Sequence, residues 1–307
     1  MHIPDATRLI AIDWGTSSAR AYALDGHGEI VSEMSAPLGV QRVAAGDFAG
    51  ALATLCGGQV PEGVPLIASG MIGSRQGWVE APYRECPAGF DAIAAGLTRV
   101  PGTMLAIVPG LVCCDARGVP DVMRGEETQI FGALPDGPTD RQALVLPGTH
   151  SKWAIVEGDG IERFATFMTG ELYSVLREHS ILGRLATGGA DASAFAQGVR
   201  ASLREGAALT HDLFSVRTLA LTGALASDGV ADYLSGLLLG AEIAAARRWL
   251  AQQKLAAVQV TLIGDATLCA RYHAALAVTD IAASIGPVDA AARGLWRIAR
   301  HAGILKR

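Results

Sequence analysis

Two loops of this 307-residue chain carry the same run of small and hydroxyl residues. Gly15-Thr16-Ser17-Ser18 follows the apolar run Leu9-Ile10-Ala11-Ile12, and Gly148-Thr149-His150-Ser151 follows Leu144-Val145-Leu146-Pro147. Glycine has no Cβ, so it admits positive φ and a close backbone approach. Successive N–H groups in such a loop make a nest for an anion, and hydroxyls add donors. Two such loops facing each other suit a polyphosphate held from both sides. Asp13, just before the first loop, offers the single carboxylate that Mg²⁺ takes alongside several waters. His150 and Lys152 put cations within reach of phosphate at the second loop. Between the loops, Glu126 and Glu127 head an expected helix after Asp121-Val122-Met123-Arg124-Gly125. Acids there are stabilised by the helix dipole. The same position suits a general base for a substrate hydroxyl.

The elements around these residues also repeat. Leu9-Ile10-Ala11-Ile12, residues 20–24 and Glu29-Ile30-Val31 read as three strands, with Asp25-Gly26-His27-Gly28 as a turn. Leu144-Val145-Leu146, residues 153–156 and 161–164 read the same way, with Glu157-Gly158-Asp159-Gly160 as the turn. Buried strands separated by glycine turns give this pattern. Strands are further expected over 66–68, 105–108 and 258–263, and helices over 125–134, 170–185, 235–250 and 290–300. The mixture makes an α/β chain of two similar lobes.

Composition sets limits. Half of the residues are apolar and 18% are charged, which provides a sizeable core. The net charge of −5 argues against nucleic acid or an anionic membrane as partner. No apolar run reaches the ~20 residues of a membrane span. No signal peptide is visible, and the expected compartment is the cytoplasm. The five cysteines form no CxxC, so neither a disulfide framework nor a zinc site is expected. No lysine follows a glycine, which excludes the Walker A loop. GxGxxG and GxSxG are also missing.

The segment Ile10-Ala11-Ile12-Asp13-Trp14-Gly15-Thr16-Ser17-Ser18-Ala19-Arg20 resembles the first phosphate motif of the actin/hexokinase/Hsp70-like sugar kinases. Residues 144–153 resemble their second. Thr261-Leu262-Ile263-Gly264-Asp265-Ala266 stands where their adenosine motif falls, with Asp265 replacing a more usual glycine. Residues 290–295 resemble their closing helix. Longer blocks are similar to the 2-dehydro-3-deoxygalactonokinases: Ala68-Ser69-Gly70-Met71-Ile72-Gly73-Ser74-Arg75-Gln76-Gly77-Trp78, then 121–129, 147–153, 166–172, 179–185 and 213–217. The resemblance runs from about residue 8 to 300.

The resemblance implies an α/β, two-lobed ribonuclease H-like (actin/hexokinase-like) fold with a cleft between the lobes. Residues 1–136, completed by a closing helix at 289–307, would form one lobe, and 137–288 the other. It implies transfer of phosphate from MgATP to the 6-hydroxyl of 2-dehydro-3-deoxy-D-galactonate, in galactonate catabolism. Gly15, Thr16, Ser17, Ser18 and Gly148, Thr149, His150, Ser151, Lys152 would hold phosphates, and Gly264 and Asp265 the adenosine. Asp13 would hold Mg²⁺. The family's basic Asp maps onto Glu126, and this change of residue leaves Glu127 and Asp121 as alternatives. A keto-acid substrate calls for an Arg to meet its carboxylate. Arg75 is the first choice and Arg124 the second, with Ser69, Gly70, Ser74 and Glu171 as further substrate contacts. Two other readings stay open: the gluconate epimer as acceptor, and a non-catalytic ATP-binding switch. The oligomeric state, including a homodimer, is also open.

Overall fold

The computed structural model describes residues 2–58, 62–256 and 259–305. Val258, at the head of an expected strand, and residues 306–307 of the expected closing segment lie outside these.

The first sheet has the order β3-β2-β1-β4-β8-β7: Ile30–Ala36, Ala19–Leu24, Leu9–Trp14, Leu66–Gly70, Leu105–Ile107 and Thr98–Arg99. β1 and β4 are nearly continuous apolar runs and are buried on both faces, as central parallel strands require. β3 alternates half-buried and exposed residues at the sheet edge. The β2–β3 turn is built by Asp25, whose Oδ1 accepts the N–H groups of His27 (2.8 Å) and Glu29 (3.0 Å).

A second, three-stranded sheet has the order β10-β9-β5, Pro120–Met123, Leu111–Cys114 and Arg84–Glu85. The third has the order β15-β14-β11-β12-β13-β6: Ala282–Ile285, Gln259–Leu262, Thr139–Leu146, Ser151–Gly158, Gly160–Phe167 and Ala88–Gly89. The expected repeat is therefore a repeat of topology. In each large sheet the first strand lies between the second and a parallel later strand, giving the order third, second, first, fourth, fifth.

Contacts divide the chain into two units. One comprises Met1–Asp140, Ile155–Phe164 and Pro287–Arg307; the other comprises Arg141–Ala154 and Ala165–Gly286. The expected block 137–288 is thus interrupted. Residues 155–164 group with the first unit because β6 pairs with Gly160 and Ile161, and Cys113 Sγ reaches Phe164 O at 3.3 Å.

In the first unit, helices α1 (Phe48–Leu55), α2 (Phe90–Ala95) and α3 (Glu126–Ala133) are joined by the C-terminal α9 (Ala290–His301). α9 lies directly on α3. A Cβ on Gly294 would stand 1.9 Å from Thr128 O, and one on Gly132 would stand 1.8 Å from Ala290 O. Arg297 donates to Phe131 O and Leu134 O, satisfying carbonyls at the end of α3.

In the second unit stand α4 (Thr169–His179), α5 (Ala192–Leu203), α6 (Leu209–Leu221), α7 (Val230–Gln252) and α8 (Ala266–Leu276). The helix expected over 170–185 ends at His179. Ser180 is extended, and the chain doubles back so closely that a Cβ on Gly183 would stand 1.8 Å from Arg177 O. Among the described residues no helix is long and apolar enough to cross a membrane, and all five cysteines are free.

Candidate active site

β1 and β4 run parallel, with Asp13 opposite Ser69 and Trp14 opposite Gly70. Carboxyl ends of parallel strands are the usual place for ligands in α/β folds. Gly70 has φ +90°, and a Cβ there would stand 2.7 Å from Trp14 O. Gly125 has φ +105° and lies against Gly70. These two glycines let the start of α3 reach the strand ends. Asp13, Ser69 and the Glu126-Glu127 pair are thereby gathered within the first unit.

The acids there differ. Asp13 is half-buried, and burial raises its carboxyl above the ordinary range while the guanidinium of Arg20, its cross-strand partner, opposes this. Glu127 is fully buried. It accepts Gly125 N–H (2.6 Å) and Thr128 O–H (3.1 Å), and burial, reinforced by the charge of Glu126, pushes its carboxyl up to about 8. Glu127 therefore holds its proton at neutral pH. Glu126 is only partly buried and accepts Arg124 N–H at 3.0 Å. Asp121 lies on β10 opposite Cys113, away from the start of the helix.

The first loop is held by backbone. Val40 and Gln41 N–H groups bond to Gly15 O and Thr16 O, and a Cβ on Gly39 would stand 2.4 Å from Ser17 N. Thr16, Ser17 and Ser18 are exposed. Ser74 is half-buried, and its Oγ accepts Gln76 N–H. Arg75 is 87% exposed and pairs with Glu80 at 3.1 Å. Arg124 is packed inward: it donates to Ala81 O (2.8 Å), lies over the Tyr83 ring and leaves Nε and one terminal nitrogen buried without partners. It ties the 73–83 segment to the start of α3 while remaining only partly buried.

In the second unit, Gly148, Thr149 and His150 form the open part of the other loop. His150 Nε2 meets the Glu171 carboxylate. Two expected phosphate contacts turn away. Ser151 is fully buried, with its hydroxyl 2.5 Å from Tyr272 OH. Lys152 is 5% exposed and donates to Thr166 Oγ1 at 2.9 Å. Both belong to β12, whose alternation sends them to opposite faces. Gly264 (φ +129°) and Asp265 are exposed after β14, and the Asp265 carboxylate caps α8 through Leu268 N at 3.0 Å. Capping explains an acid where the motif usually has glycine.

The chemistry of the donors fits Mg²⁺. Ser69 Oγ, beside Asp13, is buried without a hydrogen-bond partner. Among the described residues no cluster of three or more His, Cys, Asp or Glu forms a metal cage. One carboxylate plus water and phosphate is the coordination Mg²⁺ takes at phosphoryl-transfer sites.

A five-strand order used twice, with a Gly-Thr loop after the first strand each time, gives the chain an actin/hexokinase-like fold. The (R)-2-hydroxyglutaryl-CoA dehydratase component A of Acidaminococcus fermentans shares that fold at 13% identity and TM-score 0.54, over 96% of this chain and 98% of its own. The chain belongs to the 2-keto-3-deoxy-galactonokinase family, whose model matches residues 13–298. It is 39% identical over 269 residues to the 2-dehydro-3-deoxygalactonokinase of Escherichia coli K12, covering 87% of this chain and 89% of that one. A crystal structure of a Sinorhizobium meliloti protein given as a 2-dehydro-3-deoxygalactonokinase superposes with TM-score 0.86 at 38% identity, over 95% and 98% of the two chains.

Proposed function

We propose that this chain transfers the γ-phosphoryl group of ATP to the 6-hydroxyl of 2-dehydro-3-deoxy-D-galactonate, with Glu126 as base. The observation that carries the assignment is the twice-used strand order with its Gly-Thr loop. Family membership narrows the acceptor to the keto-deoxy sugar acid. The Gly15–Ser18 and Gly148–His150 backbones, with the exposed hydroxyls of Thr16, Ser17, Ser18 and Thr149, hold phosphate. Gly264 and Asp265 border the adenosine. Mg²⁺ held by Asp13 would neutralise charge on the β- and γ-phosphates. Arg75 leaves Glu80 to meet the substrate carboxylate, and Arg124, whose Nε and one terminal nitrogen lack partners, is the second guanidinium for it. Ser69, Gly70, Ser74 and Glu171 complete the substrate contacts, and the cytoplasm is the compartment that fits.

Glu126 takes the role of base because it is the partly exposed acid at the start of α3, whereas Glu127 keeps its proton. The attacking oxygen bonds to phosphorus, the bond to ADP breaks, and the hydroxyl proton passes to Glu126. Positioning and charge stabilisation do most of the work in such transfers. Glu126→Gln should leave nucleotide affinity unchanged and cut turnover by at least ~10²-fold. Glu127→Gln should keep most of the turnover. The reverse ranking would move the base to Glu127.

A further inference from the structure

In the middle of α7 lies a carboxylate that the proposed chemistry does not use. Glu242 is 3% exposed. An acid in such a place is costly unless every lone pair finds a donor. Trp153 Nε1 donates to its Oε1 at 2.7 Å, and Tyr272 OH stands 3.0 and 2.8 Å from its two oxygens. The hydroxyls of Thr169 and Ser151 stand beside it and favour its ionised form.

These donors come from different elements, and each adjoins the nucleotide side of the second unit. Ser151 directly follows the Gly148-Thr149-His150 loop, and Trp153 follows on β12. Thr169 begins α4, which presses on that loop: a Cβ on Gly170 would stand 2.4 Å from Gly148 O, and Glu171 N–H donates to Thr149 O at 3.0 Å. Tyr272 lies about two turns along α8 from Asp265, which starts that helix. One carboxylate therefore joins the loop, the helix leaning on it and the helix headed by Asp265.

We infer that Glu242 is a positioning residue for nucleotide binding, setting the 147–150 loop in register with Gly264 and Asp265. The inference rests on the nucleotide sites proposed above. Loss of the carboxylate strands the buried Trp153 and Tyr272 donors, and the elements they tether drift apart. Gln keeps an acceptor at the same place.

The test compares Glu242→Ala, Glu242→Gln and wild type. It measures affinity for a non-hydrolysable ATP analogue, KM for ATP and for the sugar acid, and amide exchange over 148–151 and at Glu171. Glu242→Ala should weaken the analogue by about tenfold or more, raise the KM for ATP more than that for the sugar acid and speed exchange at Glu171 but not in β1. Glu242→Gln should recover affinity to within about threefold of wild type. Unchanged affinity in Glu242→Ala, equal shifts in both KM values, or a Gln variant no better than Ala would overturn the inference. If Glu242→Ala does not fold, Tyr272→Phe replaces it with an expected three- to tenfold loss of affinity, roughly one hydrogen bond, and unchanged affinity overturns the inference. Analogue binding by wild type without acceptor turnover would remove the kinase reading while leaving this comparison decisive. No analogue binding by wild type would overturn both.

Discussion

Gly125 packs against Gly70 with both residues at positive φ, and a Cβ on Gly125 would stand 3.2 Å from the Gly70 Cα. This contact brings Glu126 to the ends of β1 and β4. A side chain at either position is strained, at about 1–3 kcal/mol for the backbone alone. Gly125→Ala should lower Tm and reduce kcat more than it raises KM for ATP. A variant with unchanged Tm and kcat would show that Glu126 does not depend on the contact.

Asp13 combines its proposed role with a cost. Its carboxyl is raised by burial, so the ionised form is disfavoured in the folded chain. Asp13→Asn should therefore leave Tm unchanged or higher, while turnover falls by about 10²-fold or more. Thermal melting and steady-state rates of one preparation check both halves. Lost stability with retained turnover would contradict the assignment.

Glu127 gives a pH dependence of stability with a defined sign. Its folded value is about 8 against 4.5 for an ordinary Glu. Between those values the folded chain holds a proton that the unfolded chain has released. Its contribution is full below pH 4.5 and is lost as pH rises to about 8, with a slope of up to ~1.4 kcal/mol per pH unit. Wild type should lose Tm relative to Glu127→Gln from pH 5 to 8, as followed by melting curves at matched ionic strength. A Tm difference independent of pH would contradict the buried, protonated carboxyl.

Arg75 separates acceptor binding from stability. Its ion pair with Glu80 is exposed, and such pairs contribute little. Arg75→Ala should leave Tm and the KM for ATP unchanged and raise the KM for the sugar acid about 10- to 100-fold, the loss of a charge-assisted hydrogen bond. An unaltered sugar-acid KM would release Arg75 from the site.

The double meander was legible because its signals are local. Leu9-Ile10-Ala11-Ile12 and Leu144-Val145-Leu146 are buried runs closed by glycine turns. β15 was not legible, since Ala282–Ile285 is mostly exposed and lacks an apolar run. The two-residue β5, β6 and β7 are made by tertiary pairing alone. In the proposed site, Asp13 and the start of α3 stand out by residue type. The inward turn of Ser151 does not, because Gly-Thr-x-Ser does not say which face of the following strand the serine takes. Arg124 and Arg75 read alike in sequence, and the packing of Arg124 over Tyr83 and the exposure of Arg75 distinguish them. Glu242 carried no signal at all, because its donors are 73 or more residues away on one side and 30 on the other.

The most direct measurement is ADP release from MgATP in a coupled assay, comparing 2-dehydro-3-deoxy-D-galactonate, its gluconate epimer, glycerol and no acceptor. The account predicts ADP release that depends on the galactonate and far exceeds the rate with glycerol or without acceptor, with phosphate recovered on the 6-position. Protein that binds ATP yet releases no ADP in response to the galactonate would contradict it.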